Sequence, residues 1–297
     1  MSFFRFSFPA LALSKKVGAY VIATFCVLAM SQTAMADPVK IELVGESKSI
    51  QPGKPFYVAL HLDHKKNYHT YWKFPGIVGV ATNMDWHLPT GWKADAIEWP
   101  EPIRVMMFTI QAQGYHGELV LPIKITPPAN LKAGEKVTLS GKAAWMACYR
   151  ECNPGFKELS LTLPVSDETP VFDTRLGKLF AEARAAMPKP LKGWDLSAKR
   201  RDDKIVLRLS PESAEAEKKS TSITEIFFFT VDGLIDASKP QTFRQEKDGT
   251  LIMELLVSEY ATKPLPTSLN GLLQTSDSWT TPGASKSARI SVPISGL

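Results

Sequence analysis

Cys148 and Cys152 are the residues whose type and spacing most directly offer chemistry, a C-x3-C pair followed by Asn153-Pro154-Gly155. Residues 142–147 read as a strand and 157–163 as its partner, which puts both thiols at a hairpin end, close enough to pair. Two readings are open. As a staple, a closed loop of about five residues contributes only about 2 kcal/mol before strain, and a domain of this size has a core without it. As an exchange site, a short ring at a loop end opens and closes readily. Two cysteines are too few ligands for a closed zinc site.

A second constellation is His61, His64, His69, His87 and His116, with Met106, Met107 and Met146. Imidazoles and thioethers suit copper. No pair of these histidines has the i, i+4 or H-x-H spacing that preorganises a site, so each reads as a strand-face or loop residue. Trp72, Trp86, Trp92 and Trp99 read as core. No G-x-S-x-G, P-loop, G-x-G-x-x-G or H-E-x-x-H occurs, and neither a cofactor nor a metal is expected.

The 297 residues, 44% hydrophobic and 22% charged, suffice for two domains and exclude wholesale disorder. Residues 1–36 read as a signal peptide. Arg5, Lys15 and Lys16 form a basic start, 17–30 an apolar run too short for a membrane span, and Ala34-Met35-Ala36 a cleavage site, so the mature chain begins at Asp37. Removing that segment leaves 32 basic against 30 acidic residues, a net of +2 without a nucleic-acid signature. No later stretch is long and apolar enough to span a membrane.

From 37 to 165, short alternating runs (39–43, 56–62, 118–126, 136–147, 157–163) are separated by Pro/Gly turns, the pattern of an immunoglobulin-like β-sandwich. Residues 166–190 are a linker. In it Asp173 caps a short helix with Leu176, Leu179, Phe180, Ala183 and Met187 on one stripe, and Pro188 ends it. Strands resume over 191–297 at 196–200, 204–210, 222–231, 251–257, 269–274 and 288–294. The run Ile226-Phe227-Phe228-Phe229 reads as a strand buried on both faces. This half carries no catalytic motif and reads as scaffold or docking surface. The expected fold is therefore all-β, two immunoglobulin-like sandwiches joined by a helix-containing linker.

Several motifs together resemble one family. They are His69-Thr70-Tyr71-Trp72-Lys73-x-Pro75-Gly76, Trp86-x-Leu88-Pro89-x-Gly91-Trp92, Trp99-Pro100-x-Pro102, Gly114-Tyr115-x-Gly117, Leu121-Pro122 and Trp145-x-x-Cys148-x-x-x-Cys152-x-Pro154-Gly155. Over 37–165 the chain is similar to the N-terminal periplasmic domain of the thiol:disulfide interchange protein DsbD, in its ScsB-like branch. Phe228-Phe229-x-x-Asp232-Gly233-Leu234-Ile235 is similar, more weakly, to the region preceding the membrane domain of that branch.

The resemblance implies that Cys148 and Cys152 exchange electrons with periplasmic thioredoxin-fold proteins, Cys152 forming the mixed disulfide and Cys148 resolving it. It also implies a cap aromatic at Phe108, with Tyr115 as the other candidate for shielding. Family members can carry acidic residues just before the cap, where Met106 and Met107 stand here, a departure that bears on thiol pKa tuning. The transmembrane conduit and C-terminal thioredoxin domain of the family have no counterpart in these residues, so a separate membrane electron donor is expected. The rival expectations are a redox-inert binding module with a structural disulfide and a copper-handling periplasmic protein.

Overall fold

The protein, described here by a computed structural model over residues 37–279 and 285–296, is built almost entirely of strands. The expected signal peptide over 1–36 lies outside the described residues. In chain order the elements begin with β1 (Val39–Gly45), β2 (Phe56–His64), β3 (Thr70–Tyr71), β4 (Asn83–Trp86) and β5 (Lys93–Ala94). They continue through β6 (Ile103–Met107), β7 (Ile110–Tyr115), β8 (Glu118–Thr126), β9 (Lys136–Cys148), β10 (Cys152–Pro164) and α1 (Thr174–Ala185). Then come β11 (Lys189–Pro190), β12 (Trp194–Arg201), β13 (Lys204–Pro211), α2 (Ala214–Ser222) and β14 (Ile226–Thr230). The last four are β15 (Thr242–Gln245), β16 (Leu251–Leu256), β17 (Ser268–Thr275) and β18 (Ser287–Ser295).

Two sheets form the first sandwich, ordered β1-β2-β8-β5 and β10-β9-β4, and a small sheet β3-β7-β6 lies at one end. The alternation seen in the sequence explains the packing, because every second residue of a strand faces the same side. Val58, Leu60 and Leu62 of β2 and Leu121, Ile123 and Ile125 of β8 meet Leu139 and Ala143 of β9 and Leu159 and Leu163 of β10. Trp72 is in that core, and Trp86, Trp92 and Trp99 pack against it. The helix α1 lies on the outer face of β8. Asp173 accepts from the N–H groups of Arg175 and Leu176, and Phe180 and Ala183 pack on Ala59 and Val120. Met187, expected on the helix stripe, falls past the last turn.

The remaining strands form one sheet, β14-β17-β18-β12-β13-β16-β15, with β11 beside β18. Its core takes Leu207, Leu209, Leu251, Met253, Phe228, Leu273 and Ile290. The helix α2 was not expected. Ser213 accepts from the Ala216 N–H and starts a run of Ala, Glu and Lys, good helix formers that carry too little hydrophobic pattern to announce themselves. It occupies the start of the expected 222–231 strand, which shortens to β14. That strand is buried on both faces, as expected, for a tertiary reason. Phe228 faces the second core, while Phe227 and Phe229, with Leu272 of β17, enter the first core.

Candidate functional site

Cys148 ends β9 and Cys152 begins β10, directly opposite in register, with Tyr149, Arg150 and Glu151 as the loop between them. On its other side Cys148 meets His69. Its N–H donates to the His69 carbonyl at 2.9 Å, and the His69 N–H donates back to the Cys148 carbonyl at 3.0 Å. With both backbone groups of Cys148 used there, the Cys148–Cys152 pairing is of the non-hydrogen-bonded kind, in which opposite side chains approach most closely. The Cα atoms are 4.2 Å apart and the sulfurs are joined.

The same arrangement makes the two sulfurs unequal. β9 is the middle strand of its sheet and β10 an edge, so Cys148 is fully buried among Tyr71, Val105 and Ala112, while Cys152 is exposed. Across the hairpin, Trp145 lies flat over Gly155. A Cβ at 155 would come within 2.2 Å of the indole, which is why the motif has glycine there.

Three side chains surround the pair. The Tyr71 hydroxyl is 4.0 Å from Cys152 Sγ, at the outer limit of a hydrogen bond to sulfur, and His69 Nε2 is 3.3 Å from that hydroxyl. Burial raises the Tyr71 pKa, so the phenol keeps its proton and is the donor toward sulfur. Met107 Sδ, at the end of β6, is 3.4 Å from Cys152 Sγ. Met107 and Tyr71 come from elements far away in sequence. A two-residue strand carries no period, so the only sequence signal for Tyr71 was its place in the His69-Thr70-Tyr71-Trp72 run.

The other candidates fall as follows. Phe108 occupies the β6–β7 turn in the left-handed region (φ 53°) and is 68% exposed, so the side chain that meets Cys152 is its neighbour Met107. Tyr115 is buried, stacks on Trp99 and donates to the Pro100 carbonyl at 2.7 Å. His61 meets Glu118 at 2.8 Å. His64 Nδ1 donates to the Gly117 carbonyl at 2.6 Å, which leaves Nε2 to accept from the Thr70 hydroxyl at 2.8 Å. His87 and His116 are exposed. Among the described residues no three His, Cys, Asp or Glu side chains are placed to hold a metal ion, and no helix is long and apolar enough to cross a membrane.

Burial, with the nearby His64 and His116 adding to it, lowers the His69 pKa from 6.5 to about 4. Burial also lowers that of His64. The folded protein therefore stays unprotonated at His69 where the unfolded chain binds a proton. Stability is full above pH 6.5 and is lost as pH falls from there toward about 4. Asp173, held below its ordinary value by its helix N–H groups, acts below that window. Urea midpoints measured across the window should fall for the native protein and fall less for His69→Gln. An identical slope in the variant would assign the effect elsewhere.

Residues 41–164 match the family model for the N-terminal domain of the thiol:disulfide interchange protein DsbD. No curated protein compared with the chain matches it. Among solved structures, the N-terminal periplasmic domain of ScsB from Proteus mirabilis has the same fold. It is 18% identical at a TM-score of 0.59, over 90% of this chain and 96% of that one. A protein of unknown function from Porphyromonas gingivalis matches far more loosely (TM-score 0.25, 10% identity, 86% of this chain and 100% of that one). So does BcpA, the major pilin subunit of Bacillus cereus (TM-score 0.26, 12% identity, 87% and 66%). The resemblance expected from the sequence thus holds over 41–164, and the ScsB-like fold extends it through most of the chain.

Proposed function

We propose, from the DsbD N-terminal match over residues 41–164, that this chain is a periplasmic thiol:disulfide interchange protein. In this reading 37–165 is the module that carries the pair, 166–190 the linker and 191–297 the second module. The observation that carries the reading is the asymmetry of the sulfurs, one buried at a strand centre and one exposed at an edge. A staple needs no such difference, whereas exchange needs one sulfur that a partner can reach and one that it cannot.

In the reducing direction, the Cys152 thiolate attacks a partner disulfide. A bond forms between Cys152 Sγ and one partner sulfur, and the other partner sulfur leaves with the electron pair and takes a proton. The Cys148 thiolate then attacks Cys152 Sγ. The intramolecular disulfide closes, and the second partner sulfur leaves as a thiol. Two electrons have passed to the partner, and every step runs equally in reverse. Tyr71, kept protonated by burial, offers its O–H to Cys152 Sγ when that sulfur is the attacking or leaving thiolate.

The rim favours a protein partner. Met106, Phe108 and Tyr149 are exposed apolar side chains beside the pair. A groove of about 590 Å³, lined in part by Tyr68, Arg104, Met106, His116 and Tyr149, runs alongside. Thioredoxin-fold proteins are the partner class that the family match supports.

Equilibration with glutathione redox buffers tests the reading. An exchange site has a reduction potential within the range of such buffers. A structural disulfide lies below about −300 mV and stays oxidised. The latter result would favour a redox-inert module.

A further inference from the structure

The β6–β7 hairpin that lays Met107 on Cys152 is joined to its own half by Val105 and Ala112, which pack on Tyr71 and Cys148, and by a short stretch of strand pairing. Its strand partner is β3, which pairs with only two residues of β7, Gly114 and Tyr115, at the end far from the turn. Beyond them, residues 103–112 form a two-stranded ribbon, and such a ribbon is marginal in water by itself.

Further support comes from the strands after the linker. Arg104 of β6 forms an ion pair with Glu225, just before β14, and its guanidinium stands 5.2 Å from the centre of the Phe227 ring. Gln111 Nε2 of β7 donates to the Ala237 carbonyl at 2.8 Å. The buried Gln113 Nε2 donates to the Thr230 carbonyl of β14 at 3.0 Å. At the foot of the ribbon, Gln274 Nε2 of β17 donates to the Pro102 carbonyl at 3.0 Å. There too the Glu101 carboxylate accepts from the Ser287 N–H and the Ser285 hydroxyl, both at 2.9 Å.

We infer that the second half of the chain holds the β6–β7 hairpin in place and thereby sets how freely a thiol reaches Cys152, with Glu225 and Gln111 as positioning residues for that access. The inference rests on the thiol-exchange reading for its purpose but not for its test. Arg104 and Glu225 are both about half exposed, and ion pairs so placed contribute little to global stability, so variants there shift the hairpin without unfolding the protein. Gln111→Ala changes no charge and separates positioning from the local electric field.

The measurement is the rate at which dithiothreitol reduces the disulfide in the full chain. One reagent thiolate attacks Cys152 Sγ and expels the Cys148 thiolate. The second reagent thiol then closes on the first, which frees Cys152 and leaves oxidised dithiothreitol. Glu225→Gln and Gln111→Ala should each accelerate reduction by about two- to fivefold, the range a surface contact of this kind supports. Met107→Ala, which removes the covering group itself, should accelerate it more. The double variant Arg104→Glu/Glu225→Arg should return toward the native rate, a rescue that a general loosening would not produce. Glu225→Gln, Gln111→Ala and the double variant should unfold at the native temperature.

Native rates for Glu225→Gln and Gln111→Ala alongside a faster Met107→Ala would overturn the inference, because the cap would then be held by its own half. A native rate for Met107→Ala would also overturn it, since nothing over the sulfur would need positioning. Neither result depends on whether a protein partner is ever captured, so the exchange reading stands or falls separately.

Discussion

Cys148→Ser should accumulate a covalent complex with a periplasmic thioredoxin-fold protein that reductant dissolves, and Cys152→Ser should accumulate little or none. The expectation follows from which sulfur a partner can reach. With Cys148 gone, the exposed Cys152 still forms the mixed disulfide, and no intramolecular thiol remains to release it. With Cys152 gone, the remaining thiol is buried behind Tyr71, Val105 and Ala112, and access limits its reactivity. The readout is non-reducing electrophoresis of periplasmic extract, with mass spectrometry of any band that reductant removes. Trapping by Cys152→Ser alone would exchange the two roles and keep the function. No complex from either variant, with a native disulfide that glutathione leaves intact, would favour the structural-disulfide reading.

Phe229→Ala should destabilise the protein by about 3–5 kcal/mol, the usual cost of emptying a fully buried aromatic site. The position is unusual in what it joins. Phe229 sits on a strand of the second sheet, yet its ring packs into the first core, edge-on to Trp72 at 6.3 Å and to Phe227 at 4.8 Å between centroids. The loss should therefore appear in both halves. Urea unfolding followed by hydrogen exchange in β9 and in β16 should give one shared transition, moved to lower urea. Two separate transitions, with only the β16 amides affected, would mean that the halves fold independently. Phe228→Ala is the comparison, because its ring faces only the second core.

Much of the architecture was legible because alternation is a local property. In 56–62, 118–126 and 204–210 every second residue is apolar, and each run became a strand with that face inward. Asp173 announced α1 for a similar reason, since a cap and a stripe of Leu176, Leu179 and Phe180 lie within one short segment. The cysteine hairpin was equally local, with strand, turn and strand in order around two thiols. α2 escaped notice because its residues favour helix by propensity alone, and two small side chains, Ala216 and Ser220, make its buried face. Propensity without a stripe is a weak signal.

By itself the sequence determined which residues alternate, where the chain turns, and that two cysteines of the expected mature chain end facing strands. These depend only on neighbours along the chain and on the period of a strand. Tertiary structure decided the rest. It buried Cys148 and exposed Cys152, because β9 gained a neighbour on both sides and β10 did not. It also set Met107, rather than Phe108, against Cys152, because the turn carries Phe108 outward at a positive φ. Finally, it sent Phe227 and Phe229 into the core of the other half. An apolar run shows that both faces of a strand are covered, but what covers each face depends on contacts between residues more than a hundred positions apart, to which no periodicity refers.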